Sequence, residues 1–343
     1  MINSTQVATL LMGAMLSACV FFGGVDLVLA DPGATPREAA GAMPKTSPAA
    51  PATGGLDNTP AIFAEAAAPV APPAAKQPAI EPRGRAYLFR GALGPIFSRG
   101  IDRLTERIEQ AGVTASVNEF TICRVIAAMA IREYRQDPAP IILIGHSMGG
   151  FCALKFAEIL QAEDIPVSLV VTIDPAHVSP TVPLNVERYI NIFLSDGVLG
   201  GGDVVPTQGY QGQYASFDLS KHEEVTHINI EKMDSVHEQL VSKIVQLATT
   251  PAKAEGEAVP LRYVVPPDTA IELWDSGMPV LARSGETLQT IAAFHHVPLW
   301  SLTQINQTSD SVPLVRGQRV IVPRHLAPLA TVSAVARPSS SKR

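Results

Sequence analysis

The sequence predicts an α/β fold, a compact and mainly parallel sheet, followed by a small β-α-α-β module. Three observations carry this. Ile141 to Ile144 are four branched apolar residues in a row, as expected of a strand buried on both faces of a parallel sheet. Similar runs at Val167–Ile173 and Arg188–Leu194 alternate with stretches of helical apolar spacing, the order that gives a sheet covered on both faces. Finally, a Pro-containing, charge-alternating break from Thr249 to Val259 separates this unit from a different pattern at residues 279–324.

The chain has 343 residues, room for two domains and linkers, and a formal net charge of −6. With that charge and no basic cluster, nucleic acid is excluded as a partner. Three cysteines, Cys19, Cys123 and Cys152, do not make a disulfide framework. Cys123 and Cys152 fall in apolar helical patterns that suit small buried thiols, and a bridge between them is open if the protein is exported.

Taken in order, residues 1–30 contain an apolar run, Val7 to Phe22, that suits the core of a signal peptide or membrane anchor. Leu16-Ser17-Ala18-Cys19 resembles a bacterial lipobox, whereas Val28-Leu29-Ala30 resembles an ordinary cleavage site; both readings stay open. Residues 31–82 are Pro- and Ala-rich, a composition that cannot bury enough apolar surface to offset chain entropy, so an extended spacer is expected. In residues 83–250, Arg85–Arg90 opens the sheet and leads into a loop with Gly91 and Gly94. Ile101, Leu104 and Ile108 mark a helix ending at Gly112, and Val113–Val117 is a second strand. A helix over Phe120–Tyr134 leads to the Ile141 strand and the helix after Ser147. Tyr214–Leu219 reads as the last strand and Ser235–Leu247 as the closing helix, with Ser235 and Glu238 spaced as a capping box. Residues 251–278 read as a linker and residues 325–343 as a flexible tail.

The buried strand runs directly into Gly145-His146-Ser147-Met148-Gly149, which fits G-x-S-x-G. A serine at a sharp strand-to-helix turn is lifted above the sheet edge, and only small neighbours let strand and helix pass so closely. On these residues the chain resembles the α/β-hydrolase family of lipases and esterases. The resemblance implies Ser147 as nucleophile and an acid and a histidine following it in that order. For the acid, Asp174 in Ile173-Asp174-Pro175-Ala176 resembles the D-P-A segment of the pancreatic-lipase group; Asp196 and Asp203, one strand later, remain alternatives. For the base, His227 lies between the last strand and last helix, where the family's histidine stands, with His222 and His237 as competitors. His146 is expected to pack rather than act, and His177 follows Asp174 too closely to be oriented by it easily. The oxyanion hole would use the N–H of Met148 and a second N–H from Ala92 or Leu93. No metal-ligand spacing occurs, and no cofactor is implied.

Residues 279–324 resemble a LysM domain on Gly285-Glu286-Thr287-Leu288, Ile291-Ala292, Val297, Leu302, Asn306, Leu314 and Gly317-Gln318 before Val320–Pro323. That resemblance implies binding to N-acetylglucosamine glycans such as peptidoglycan, with Gly285, Glu286, Thr287 and Asn306 as candidate contacts. Together the two resemblances imply an exported or envelope-bound serine hydrolase of an ester or thioester, with membrane anchoring through the N-terminus open. The competing reading is a glycan-binding protein whose hydrolase fold is idle.

Overall fold

The computed structural model describes residues 81–92, 94, 98–250 and 256–326. The expected signal segment, all but the last two residues of the Pro/Ala-rich spacer and all but the first two residues of the tail lie outside these. The described residues belong to one compact unit.

Seven parallel strands form the main sheet: β1 (Arg85–Arg90), β2 (Thr114–Glu119), β3 (Ile141–His146), β4 (Leu169–Ile173), β5 (Arg188–Phe193), β6 (Gln213–Asp218) and β7 (Leu261–Val264). Their order is β2-β1-β3-β4-β5-β6-β7. β3 to β6 are buried at every position, which is why β3 and β4 read as apolar runs and not as alternation. Helices α1 (Arg99–Gln110) and α4 (Asp234–Thr249) cover one face with Ile101, Leu104, Ile108, Val236, Leu240 and Ile244. Helices α2 (Cys123–Gln136) and α3 (Met148–Gln161) cover the other with Ala127, Ala130, Leu154, Phe156 and Leu160.

Two expectations are corrected here. The segment 251–278 is not only a connector: β7 lies within it and pairs with β6, so Gln213–Asp218 is not the last strand. β7 has four residues between Pro260 and Pro266, and its alternating burial is that of an edge strand, too short to stand out in sequence. The capping box is absent as well. Helix α4 starts at Asp234 with Met233 at its N-cap and no side-chain cap, which places Ser235 one residue too far inside.

The C-terminal module is a two-stranded antiparallel sheet, β8 (Trp274–Leu281) with β9 (Arg319–His325), enclosing α5 (Leu288–His295) and α6 (Leu299–Asn306). Its own core is Leu288, Ile291, Ala292, Val297, Leu302, Leu314, Val320 and Val322. Trp274 instead joins the core of the main sheet beside Phe217 and Tyr263, and Trp300 of α6 packs edge-on against Tyr263. β8 therefore begins five residues before the expected module boundary. No described helix is long and apolar enough to cross a membrane.

Candidate active site

Ser147 sits between β3 and α3 with φ 55° and ψ −121°, a conformation that side chains rarely adopt. The crossing is close enough to require its glycines: a Cβ on Gly145 would run into the Gly149 carbonyl, and one on Gly149 into the Phe89 carbonyl. From the turn, α3 rises with its first N–H groups directed at the site.

At the tip of β4, Asp174 is fully buried. Its Oδ1 accepts from the Leu194 N–H at 3.1 Å, and its Oδ2 lies 2.6 Å from His227 Nδ1. Since a carboxylate accepts, Nδ1 carries the proton and Nε2 is left as the basic nitrogen. Ser147 is 2% exposed and makes no hydrogen bond to His227 in this structure.

The alternatives are placed elsewhere. Asp196 is exposed, and Asp203 is ion-paired with Arg262. His222 faces Glu224 at 3.1 Å, and His177 is exposed. His237, in the first turn of α4, is fully buried, with Nε2 donating to the Glu231 carbonyl at 2.8 Å, and burial lowers its pKa.

His146 was expected to pack, and it does so with a defined hydrogen-bond chain. Its ring centroid is 4.7 Å from that of His227. Nε2 lies 2.9 Å from the His227 carbonyl, which only accepts, so Nε2 carries the proton. Nδ1 then accepts from Ser98 Oγ at 2.9 Å, and Ser98 Oγ accepts the Gly91 N–H at 3.2 Å. Burial first, and then the nearby His227, push the His146 pKa down to about 3, so the ring stays neutral and this direction is kept. The chain Gly91–Ser98–His146–His227 thus ties the loop after β1 to the histidine loop. Spacing could not show this, because its members are far apart in sequence.

The Gly91 N–H is spent on Ser98, which leaves Ala92 as the described donor of that loop; Leu93 lies outside the described residues. A Cβ on Gly91 would stand 2.9 Å from the Ser147 Cβ, so the loop passes directly over the serine. Met148 opens α3, where a first-turn N–H has no helical partner. Among the described residues no His, Cys, Asp and Glu group could hold a metal ion.

In the C-terminal module, Gly285 is exposed at φ 82°. Glu286 Oε2 accepts from the Arg283 N–H at 2.7 Å, and Thr287 caps α5 reciprocally with Thr290. Asn306 fastens α6 to β9, its amide donating to the Leu302 and Ile321 carbonyls and accepting from the Ile321 N–H. The side chains of three of the four candidate contacts are thus engaged in holding the module's loops.

Residues 282–323 match the family model of the LysM domain. A comparison with curated proteins returned no match. Among solved structures the chain is similar to a hydrolase of the alpha/beta superfamily from Xanthomonas campestris pv. campestris, at 17% identity and TM-score 0.29, over 48% of this chain and 96% of that one. It is also similar to an esterase domain from Rhodothermus marinus, at 16% identity and TM-score 0.33, over 51% of this chain and 90% of that one. A third similarity is to the RedJ thioesterase of Streptomyces coelicolor, at 22% identity and TM-score 0.21, over 32% and 48% of the two chains. By the order of its parallel strands and its strand-serine-helix turn, the main sheet has a compact α/β-hydrolase fold, and residues 282–323 are a LysM domain.

Proposed function

We propose that the protein is an exported serine hydrolase that cleaves an ester or thioester and is held to peptidoglycan by its LysM domain. The observation that carries the reading is the 2.6 Å approach of Asp174 Oδ2 to His227 Nδ1, beside a serine in a strained strand-to-helix turn. In the first half-reaction Ser147 Oγ attacks the carbonyl carbon while His227 Nε2 takes its proton. The oxyanion that forms is received by the N–H groups of Met148 and Ala92. His227 then gives the proton to the leaving oxygen or sulfur as its bond to the carbonyl carbon breaks. Water, activated by the same nitrogen, releases the acyl group as a carboxylic acid. Asp174 keeps the imidazole in the working tautomer throughout.

Export and anchoring rest on the apolar run of residues 7–22 and the spacer after it. Glycan binding rests on the LysM match and on the exposed Gly285 turn.

A second reading is favoured by one observation: the buried Ser147 makes no hydrogen bond to His227, as in an idle scaffold. Resting hydrolase sites are often loose in this way and tighten on substrate. Labelling with a fluorophosphonate probe decides between the two. The wild-type chain should take up the probe and Ser147→Ala should not. A folded wild type that stays unlabelled supports the scaffold, and equal labelling of both proteins moves the reactive serine elsewhere.

A further inference from the structure

A cavity of ≈ 570 Å³ lies over the C-terminal halves of β5, β6 and β7. Its wall includes Ser195, Asp218, Arg262, Tyr263 and Val264 of the hydrolase unit and Gln304 of the LysM domain. That volume falls in the range of small-ligand sites, roughly 300–1,000 Å³.

Its most telling group is Asp218. The residue is 7% exposed, yet only one carboxylate oxygen is used: Oδ1 accepts from the Ser195 N–H at 3.1 Å and the Ser220 N–H at 2.9 Å. Oδ2 takes no hydrogen bond within the protein, and Asp218 lines the cavity. A carboxylate oxygen left without a protein donor beside a cavity is free to accept from a ligand's hydroxyl.

The adjoining amides tie this cavity to the site already described. Leu194 N–H goes to Asp174 and the next amide, Ser195 N–H, goes to Asp218, so one turn carries both carboxylates. On the far side, Gln304 of α6 pairs with both backbone groups of Val264, at 2.8 and 3.0 Å, and closes the β7 edge. The cavity therefore stands between the LysM domain and the turn that holds Asp174.

We propose that this cavity binds a sugar residue of a glycan, and that the ester cleaved at Ser147 is an acyl group on that glycan. The proposal rests on the serine-hydrolase reading and names its substrate class. A sugar ring needs acceptors, donors and apolar walls at once. Asp218 Oδ2 accepts from hydroxyls, and Arg262, anchored by Asp203 and lying over the Tyr214 ring at 5.0 Å, donates to ring and hydroxyl oxygens. Phe193, Tyr263 and Val264 face its C–H surface. The Arg262 guanidinium on the wall opposes a metal ion. In the reaction the sugar oxygen is the leaving group. Its bond to the acyl carbon breaks as the Ser147–acyl bond forms, His227 supplies its proton, and water later frees the carboxylic acid.

The test uses the full chain with two substrates, an O-acetylated N-acetylglucosamine oligomer and p-nitrophenyl acetate. Asp218→Asn keeps an oxygen for the two amides and turns Oδ2 into a donor. The ratio of kcat/KM for the glycan ester over p-nitrophenyl acetate should fall roughly tenfold or more, through KM, as expected for losing a charge-assisted hydrogen bond. Val264→Arg, at a 42% exposed position, fills the cavity and should lower the ratio likewise. An unchanged ratio in both variants overturns the proposal, as does an equal loss on both substrates, which makes Asp218 only a support for the turn. A wild type that hydrolyses p-nitrophenyl acetate and ignores the glycan ester overturns the subsite and leaves the hydrolase reading intact. A wild type inert to both substrates and to the fluorophosphonate probe fails the hydrolase reading itself.

Discussion

At the residue scale the proposed mechanism depends on one hydrogen bond, from His227 Nδ1 to Asp174 Oδ2. Asp174→Asn should leave the fold intact and present the imidazole in the wrong tautomer. Turnover should fall by a factor on the order of 10⁴, the loss found when the same change is made in another triad enzyme. Adding His227→Ala to that variant should cost little more, because such residues act as a unit; full additivity in steady-state rates would disprove the pairing. Ser98→Ala makes a separate demand. It strips the buried His146 Nδ1 of its donor and the Gly91 N–H of its acceptor, at about 1–3 kcal/mol in stability. Turnover should drop as the loop over Ser147 loosens, with Ser98→Thr restoring part of it. The neutral His146 also sets an acid limit. Its folded pKa, about 3, lies below its ordinary value of 6.5, so its contribution to stability is whole above pH 6.5 and is lost as the pH falls toward 3. Ser147, Asp174 and His227 could be picked out in the chain because a turn motif, a strand tip and a loop position are local features. Ser98 and His146 could not be joined, since their relation exists only after the sheet forms.

Single elements show what makes a segment readable. β3 and β4 are buried on both faces, and composition alone marks them. β7 escapes because an edge strand of four residues between prolines has the composition of a linker. The start of α4 was misplaced by one residue because a Ser-x-x-Glu spacing also occurs inside helices. Nor does sequence announce Glu231, whose fully buried carboxylate is packed against the first turn of α1, where a Cβ on Gly100 would collide with it. Burial, only partly offset by Lys232, raises its pKa from 4.5 to about 7. Below pH 4.5 its stabilising contribution is complete. As the pH rises through 7 the folded state must give up a proton that the unfolded chain has already lost, and the contribution disappears. Glu231→Gln should therefore raise the melting temperature relative to wild type at pH 8 and change it little at pH 4.5. A gain of equal size at both pH values would assign the effect to packing and not to titration.

The molecule as a whole joins the two families of resemblance more tightly than two beads on a linker. Lys243 of α4 reaches Asp275 of β8 at 2.6 Å, and Arg188 Nε of β5 lies 3.4 Å from the same carboxylate, all three nearly free of solvent. Trp274 and Trp300 bring aromatic surface from the module into contact with Tyr263 of the main sheet, and Trp274 also with Phe217. A buried ion group of this kind contributes little by itself but is severe to break, about 3–5 kcal/mol when one partner is removed. Asp275→Ala leaves Lys243 buried without its carboxylate, and since β8 belongs to both parts, the loss should be felt by both. Calorimetry of the full chain should show one main transition, shifted to lower temperature in Asp275→Ala. Two transitions, with the LysM transition unmoved by the substitution, would mean that the domains melt independently. The fixed seam would then give way to a hinge, and a single glycan could no longer be held at the same offset by the LysM domain and by the cavity beside Asp218.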